Sequence, residues 1–379
     1  MKTTAAAASL LACFIGITVV KVTAQQPAEK PLLSDQVFKN VQVMKGIPVD
    51  QFMATMGFFS ASLGMSCEDC HMADDRDWSG FAADNARKRR ARQMIQMMQK
   101  INADNFGGRQ MVTCYSCHRG QDAQRTVPDF ASQYGPLQPA DQNAIVVQNP
   151  LSPMPDAVFN KYLQAVGGAE KAAALTSYTA TGTNVGYGPE SVDKRQSEIY
   201  AKANPLQRTT IVHTSNGPTT TTLNGTNAWY AAPLRPVDVL TLAGQELAGA
   251  KIDAMLFFPA QVKAIAPRWR VGTPTTIDDQ DVDVVQGNTS DGIIVSLYFD
   301  QKTGLLTRSI RYTDSPVGKL PVQVDYADYR DVNGVKMPFK YTQTGLDGRD
   351  TFELTQIRAN VNVEASRFNK PAPVAPPRK

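Results

Sequence analysis

The spacing of apolar residues predicts two long helices in the first third of the chain. Apolar side chains recur every three or four residues from Val49 to Ser62, and Gly64 stands where that helix would end. The same period returns from Ala86 to Ile101. The region before residue 120 is therefore predicted to be mainly helical.

Beyond residue 150 the pattern changes to that of β-strands. After a short helix predicted over 156–166, apolar and polar residues alternate over 293–312, interrupted by a turn. Asn333-Gly334 separates two further runs and is a strong signal for a hairpin. A helical stretch at about 236–265 divides the strands into two groups. This order of strands, helices and strands predicts an α+β domain with an antiparallel sheet.

Composition places a domain boundary between these regions. Nine of the 13 methionines lie between Met44 and Met111, and six prolines lie from Pro128 to Pro155. A proline-rich segment with few apolar clusters is typical of an extended linker. We therefore predict a multidomain chain whose two halves fold separately, without a shared core. The expected segments are a helical domain over 31–125, a linker over 126–154, a sheet domain over 155–367 and a disordered tail over 368–379.

The N-terminus has the features of an export signal. Lys2 is followed by a mainly apolar run from Thr4 to Val20 and by Val22-Thr23-Ala24, a small-residue cleavage site. This predicts a signal peptide over residues 1–24 and a periplasmic or exported protein. The alternative is an uncleaved N-terminal anchor that keeps the protein at the membrane. The net charge of +4 is scattered along the chain and does not predict a nucleic-acid partner.

Four of the five cysteines and two of the three histidines fall into two CxxCH motifs. On a short helical turn, two thiols three residues apart meet the two vinyl groups of one haem, and the following histidine points at the iron. Ser66 and Thr113 stand at the N-cap positions of these turns. The motifs predict two covalent haem c groups, attached through Cys67 and Cys70 and through Cys114 and Cys117, with His71 and His118 as iron ligands.

Zinc sites and redox disulfides also use CxxC pairs. A zinc site of all four cysteines would have to bridge the long interval between the motifs, and neither alternative gives the two adjacent histidines a role. The haem interpretation accounts for every residue of both motifs.

Each haem iron also needs a sixth ligand or an open face. His213 is the one spare histidine and lies outside the helical region, so methionine is the available ligand. Met53 and Met56 precede the first motif, and Met94, Met97 and Met98 precede the second. Each of these could equally be a packing residue, and spacing does not choose among them.

A family resemblance indicates which two of these methionines are the ligands. Residues 56–71 combine a methionine-bearing helix, a Ser-Leu-Gly turn and CxxCH, and residues 91–102 with 112–120 repeat this arrangement. Both segments resemble the haem segments of the photosynthetic reaction-centre cytochrome c subunit family. The resemblance spans about residues 38–125 and implies that Met56 and Met94 are the axial ligands.

This sequence departs from that family in two ways. The family's full-length members carry four haems, whereas this chain has two CxxCH motifs. They also carry a haem-ligating histidine in the loop before the second motif, where this chain has Asn105-Phe106-Gly107-Gly108. A shortened, two-haem relative used in periplasmic electron transfer fits these features better than a subunit that feeds a reaction centre.

The C-terminal region resembles the lipoprotein-carrier half-barrels at the level of pattern, in residues 326–338 and 352–354. That resemblance implies a curved antiparallel sheet that wraps helices and an apolar ligand cavity. A structural or docking module is an equally good interpretation of the same pattern. His213 is predicted to lie on the surface of a strand.

These features predict an exported dihaem cytochrome that passes single electrons between periplasmic or membrane-bound redox proteins. No catalytic residues are expected, and in the C-terminal region no combination of nucleophile, base and orienting group stands out. One alternative is a dihaem peroxidase-like enzyme, in which one iron lacks its methionine. Another is a carrier of a lipid or other apolar ligand, with the haems as a redox domain.

Overall fold

A computed structural model describes residues 29–71, 78–124, 126–128, 130–135, 146–186, 193–346 and 348–374. The predicted signal peptide lies outside the described residues. Within the described ranges, which begin at residue 29, no helix is both long enough and apolar enough to cross a membrane.

The first part of the molecule, called the helical part, comprises described residues 29–135. Its helices α2 and α4 are the two that the apolar spacing predicts, and each ends at a glycine in the left-handed conformation, Gly64 and Gly107. The α-helices are α1 (Ser34–Val37), α2 (Val49–Leu63), α3 (Cys67–Cys70), α4 (Ala86–Phe106), α5 (Cys114–His118) and α6 (Phe130–Tyr134), and a 3₁₀ helix spans Trp78–Ala82.

The second part, called the sheet part, comprises described residues 146–374. Its α-helices are α7 (Pro155–Ala165), α8 (Ala169–Ala174) and α9 (Gly244–Met255), with 3₁₀ helices at Pro259–Ile265 and Ala365–Phe368. Its strands are β1 (Ser177–Gly186), β2 (Arg195–Lys202), β3 (Gln207–Thr214), β4 (Gly217–Asn224), β5 (Asn227–Ala231), β6 (Val239–Leu242), β7 (Trp269–Val271), β8 (Thr275–Ile277), β9 (Gln280–Asn288), β10 (Ile294–Asp300), β11 (Leu306–Ser315), β12 (Gly318–Val332), β13 (Val335–Thr344) and β14 (Arg349–Ala359).

These fourteen strands form one large, curved antiparallel sheet, which confirms the predicted α+β architecture of the C-terminal region. The strand order is β6-β5-β4-β3-β2-β1-β14-β13-β12-β11-β10-β9-β7, with β8 paired to β9. Consecutive strands are neighbours from β1 to β6 and from β8 to β14, and β7 pairs with β9. The pairing of β1 with β14 joins the two predicted strand groups. A bulge between Thr181 and Gly182 interrupts this pairing, and a Cβ atom at Gly182 would lie 2.3 Å from the Glu353 carbonyl oxygen.

Helices cover one face of this sheet and enclose its core. Phe159 of α7, Phe257 and Phe258 after α9, and Val262 of the second 3₁₀ helix pack with apolar residues of the strands. Phe159 meets the ring of Phe299 edge-on, with centroids 5.8 Å apart. The sheet part therefore has a continuous hydrophobic core of its own.

The two parts are in direct contact, contrary to the expectation that they share no core. Phe58 of α2 and Met98 of α4 form one hydrophobic cluster with Val317 and Leu320 of the sheet part. The carboxylate of buried Asp50 accepts a hydrogen bond from the Ala243 N–H at the start of α9 (2.7 Å). The prolines restrict the backbone conformation of the linker. They do not prevent the apolar faces of α2 and α4 from packing against the sheet.

The predicted linker and tail also differ from the structure at their ends. The Asn149 N–H donates to the Val271 carbonyl (2.9 Å), so the end of the proline-rich segment pairs with the sheet edge. Phe368 is completely buried, and Lys370 forms an ion pair with Glu29 (2.9 Å). Residue 368 is therefore not part of a disordered tail, because its aromatic ring is buried and anchors the chain there.

Candidate haem-binding site

Both CxxCH motifs form short helical turns, α3 and α5, and each has the predicted N-cap. The Ser66 hydroxyl and N–H both donate to the Asp69 carboxylate, at 3.0 and 2.8 Å. Hydrogen bonds from Ser66 hold the pKa of the Asp69 carboxyl below its usual range. In the second turn the Ser116 N–H donates to the Thr113 hydroxyl (3.3 Å). Polar caps therefore define the start of both turns.

The four motif cysteines carry free thiols, and all four lie in the described part of the chain. Cys67 and Cys117 are exposed, whereas Cys70 and Cys114 are half-buried. Burial raises the pKa of the Cys70 thiol, and it raises that of Cys114 to about 11. Each turn thus presents one exposed thiol and one partly covered thiol three residues apart.

The two motif histidines are oriented in the same way. Nδ1 of His71 lies 3.1 Å from the Phe81 carbonyl oxygen. Nδ1 of His118 lies 3.0 Å from the carbonyl oxygens of both Gln121 and Asp122. A carbonyl oxygen can only accept, so Nδ1 carries the proton and the lone pair resides on Nε2. This is the tautomer and orientation that a histidine ligand of a metal ion usually has.

The N-terminus of α4 braces the first turn. Asn85, the N-cap of α4, donates from its side-chain amide to the Cys70 carbonyl (2.8 Å). Arg87 donates to the Asp69 carbonyl (3.0 Å) and lies 3.9 Å from the Asp122 carboxylate, which follows the second motif. The ring of His71 stacks on Phe81, with centroids 4.6 Å apart. Hydrogen bonds and ring stacking from residues 81–87 therefore hold the first turn in place.

Asn102 braces the second turn, and the sequence interpretation gave it no role. Its side chain is buried and donates to the Val112 carbonyl (2.7 Å) while accepting from the N–H groups of Met111 and Val112, at 3.1 and 2.9 Å. One signal could have identified it, since Asn102 lies four residues after Met98 and so interrupts the buried face of α4 with a polar group.

The two turns are neighbours in space. The Gly120 N–H, two residues after the second motif, donates to the Ser62 carbonyl at the end of α2 (2.9 Å). A Cβ atom at Gly64 would lie 2.3 Å from the Gly120 carbonyl oxygen, so this contact requires glycine. Gly64 precedes the first motif by three residues, and the contact therefore brings both motifs together.

The candidate methionine ligands differ in environment. Met56 and Met94 are half-buried, Met98 is buried in the cluster with Phe58, and Met97 is 48% exposed. Met98 thus has the packing role that any of these methionines could have had. The assignment of Met56 and Met94 as iron ligands stays a prediction.

His213 lies on strand β3, with its Nε2 atom 2.9 Å from the Glu198 carboxylate. It is partly exposed on the strand surface, as the sequence predicted. Across the described ranges, no group of three or more His, Cys, Asp or Glu side chains is arranged to hold a metal ion.

The residues present fit a covalently attached haem. Each turn offers two free thiols and an imidazole with its lone pair on Nε2. The Gln124 side-chain amide lies 3.0 Å from Nε2 of His118 and would have to move aside for an iron there. In and directly before the second motif, Tyr115 and Met111 are 55% and 58% exposed. Exposed apolar side chains grouped near one motif are typical of a surface that a planar apolar group covers.

Comparisons with solved structures and curated sequences give limited similarity. A LolA superfamily protein from Nitrosomonas europaea is 14% identical, with a TM-score of 0.37 over 58% of this chain and 99% of that one. A DUF1329 family protein from Desulfovibrio piger is 9% identical, with a TM-score of 0.39 over 57% and 98%. A putative outer membrane lipoprotein-sorting protein domain from Vibrio parahaemolyticus is 12% identical, with a TM-score of 0.38 over 56% and 97%. No curated protein matches the chain.

The family comparison is more informative. The family described as photosynthetic reaction centre cytochrome C subunit matches residues 6–198, just over half of the 379-residue chain. The match includes both CxxCH motifs and extends beyond the region in which the sequence showed the resemblance. The chain therefore belongs to the photosynthetic reaction centre cytochrome C subunit family.

Proposed function

We propose that this protein is an exported dihaem c-type cytochrome that passes single electrons between redox proteins of the periplasm or membrane. The observation that carries the proposal is the shared orientation of His71 and His118, whose Nδ1 atoms donate to backbone carbonyls beside free cysteine pairs. Membership of a cytochrome family supports it.

In this proposal each part of the site has one role. Cys67 and Cys70 would hold one haem through thioether bonds, and Cys114 and Cys117 would hold the other. His71 and His118 would hold the irons through Nε2, and Met56 and Met94 would be the further iron ligands. When bound, a haem iron with both axial positions filled exchanges single electrons and leaves no position for a substrate.

The contact between the two turns supports electron transfer within the molecule. Gly64 and Gly120 meet backbone to backbone, and Arg87 lies between the acidic groups of Asp69 and Asp122. The chain therefore places both proposed haem sites on one small scaffold. Fixing the geometry of a redox pair reduces the reorganisation that each transfer needs.

For the sheet part, we propose that it acts as a docking platform for the helical part. Its residues Val317 and Leu320 complete the hydrophobic cluster of α2 and α4, and Gln51 donates to the Asp314 carbonyl (2.9 Å). These contacts support a structural role for the sheet part beside the proposed haem sites.

Binding of a lipid or other apolar ligand by the sheet part is a second candidate, which one observation favours. The buried atoms Tyr178 Oη, Arg208 Nε and Arg311 Nη1 have no hydrogen-bond partner within the described protein. Buried polar atoms normally have a partner, and the head group of an amphiphile could supply one. Native mass spectrometry of the purified full chain tests this, because a copurifying lipid would support it and a lipid-free spectrum would contradict it.

The cytochrome proposal is tested by producing the full chain in a host that assembles haem c. We expect a denatured polypeptide whose mass includes two haems that acid extraction does not remove. Cys67→Ser with Cys70→Ser should leave one haem, and Cys114→Ser with Cys117→Ser should leave the other. A polypeptide mass without haem, or with bound zinc, would exclude the proposal.

The absorption spectrum of the ferric protein separates a carrier from a peroxidase-like enzyme. Two six-coordinate haems with His and Met ligands give a low-spin spectrum, whereas a haem with an open position gives a high-spin component. We expect only low-spin signals, and a high-spin component would favour the enzyme.

A further inference from the structure

The hairpin tip formed by the end of β11, the turn and the start of β12, residues 315–320, is unusual because it is largely buried. Val317 is completely buried, and Ser315 and Leu320 are 4% exposed. The connection between two strands normally runs over the protein surface. Here the Ser315 hydroxyl donates to the Gly318 carbonyl (2.6 Å), so the tight turn satisfies its own polar groups. This hairpin tip must therefore be covered by another element.

The helical part supplies that cover. A Cβ atom at Gly318 would lie 2.4 Å from the ring of Phe58, so the phenyl ring of α2 rests directly on the turn. Gln110, in the loop before the second motif, donates from its side-chain amide to the Ser315 carbonyl (2.6 Å). The hairpin tip is thus held by α2 and by the loop that leads into the second CxxCH motif.

The same cluster reaches the second proposed haem site. Val112 and Cys114 pack against the cluster that Val317 and Leu320 form with Phe58 and Met98. Met98 lies one helical turn after Met94, so the two side chains share a face of α4. The first turn is braced differently, by Asn85 and Arg87.

We propose that the hairpin tip of the sheet part forms one wall of the second haem site and excludes water from it. This inference rests on the proposed function. A ferric haem carries one more positive charge than a ferrous haem, so a dry apolar wall favours the ferrous form and raises the reduction potential. The sheet part would therefore set the potential of the second haem while leaving the first unchanged.

The test is Val317→Thr in the full chain, followed by redox titration. Threonine keeps the shape of valine but replaces one of its methyl groups with a hydroxyl in a fully buried position. We expect the one-electron reduction equilibrium of the second haem to shift about tenfold towards the ferric form, which equals about 59 mV. The first haem should keep its potential. The same titration with Cys67→Ala and Cys70→Ala, which leaves only the second haem, assigns the two components.

Val332→Thr is the matched control. Val332 lies at the other end of β12, is 6% exposed and packs in the main core of the sheet part. Val332→Thr should destabilise the sheet without changing the reduction potential of either haem. If Val317→Thr fails to fold, Gln110→Ala opens the same contact from the helical side, and it should lower the potential of the second haem only.

Unchanged potentials in the folded variants, or equal shifts in both haems, would overturn the inference. The number of attached haems, measured by mass on the same samples, is a separate readout. A wild-type protein without haem would overturn the proposed function itself, whereas a dihaem protein with unaltered potentials would overturn only the role of the hairpin.

Discussion

The sheet part packs its apolar side chains within its own core, whereas the helical part packs some of them against the sheet part. The core of the sheet part is continuous and includes fully buried side chains from α7, the second 3₁₀ helix and strands on both sides of the β1–β14 pair. The cluster of the helical part contains Phe58 and Met98 and is completed by Val317 and Leu320 of the sheet part. The helical part also exposes Met97, Met111 and Tyr115. It therefore depends on partners outside its own helices.

The reason for this difference is the amount of apolar surface that each part buries by itself. Burial contributes roughly 25 cal/mol per Å² of apolar surface, and an isolated short helix is unstable in water. The turns α3 and α5 have only four and five residues. The small core of the helical part must therefore be supplemented by side-chain hydrogen bonds, by contacts with the sheet and by the proposed haems.

The largest expected effect comes from removing the haem attachments. Changing Cys67, Cys70, Cys114 and Cys117 together to serine should abolish amide-exchange protection in α2 and α4, because their apolar faces lose the covalent group. Strands β9–β14 should keep their protection, since their core lies within the sheet. Hydrogen exchange with mass spectrometry measures both regions in one experiment. An equal loss of amide-exchange protection in strands β9–β14 would show that the two parts have one common core.

Replacement of the proposed methionine ligands should have the next largest effect. Met56→His and Met94→His should each lower the potential of one haem, because imidazole stabilises the ferric iron more than a thioether does. Met53→Leu, Met97→Leu and Met98→Leu are the controls and should change only packing. Redox titration measures each variant. If both histidine variants kept wild-type potentials and spectra, other residues would have to be the axial ligands.

Asp50 makes the contact between the two parts pH-dependent. Burial raises its pKa from 3.8 to about 6. The folded protein therefore binds this proton more tightly than the unfolded chain, so the stabilising contribution is full below pH about 4 and is lost as the pH rises through about 6. Asp50→Asn should remove this dependence, which amounts to up to about 3 kcal/mol. Chemical unfolding of both proteins between pH 4 and 8 measures it.

Asp35 provides a control of opposite sign. Hydrogen bonding from the Gly46 N–H lowers the pKa of this exposed carboxyl. Its contribution is present above the unfolded pKa and is lost as the pH falls through the folded pKa. Asp35→Asn should therefore leave the change in unfolding free energy between pH 4 and 8 the same as in the wild type. The same loss of pH dependence in both variants would show that Asp50 is not its source.

The smallest of these effects is expected from Asn102. Asn102→Ala removes the hydrogen bonds that its side chain makes to the N–H and the carbonyl of half-buried Val112, which should cost about 1–3 kcal/mol. Exchange should accelerate at residues 111–114 and not at the first motif. Asn105→Ala is the control, because the Asn105 amide is exposed and donates to the Ile101 carbonyl of its own helix α4 (3.0 Å). Equal destabilisation by both variants would contradict the bracing role.

Local features were predictable because they depend on residues close together in the chain. The hairpin predicted at Asn333-Gly334 is observed between β12 and β13, and the predicted caps Ser66 and Thr113 begin α3 and α5. The spacing within CxxCH likewise defines a single helical turn. Such features follow from periodicity, capping and turn preference over fewer than about ten residues.

Contacts between distant residues were not predictable in this way. The pairing of β1 with β14, the burial of Phe368 and the cover that Phe58 provides for the hairpin tip each join segments separated by more than a hundred residues. Nothing in the local pattern of Ser315–Leu320 distinguishes this turn from an exposed one. The amino-acid sequence by itself determined the helices and strands, the two CxxCH motifs and the family resemblance. Only the tertiary structure decided which surfaces meet, because packing depends on shape complementarity between whole elements rather than on neighbours along the chain.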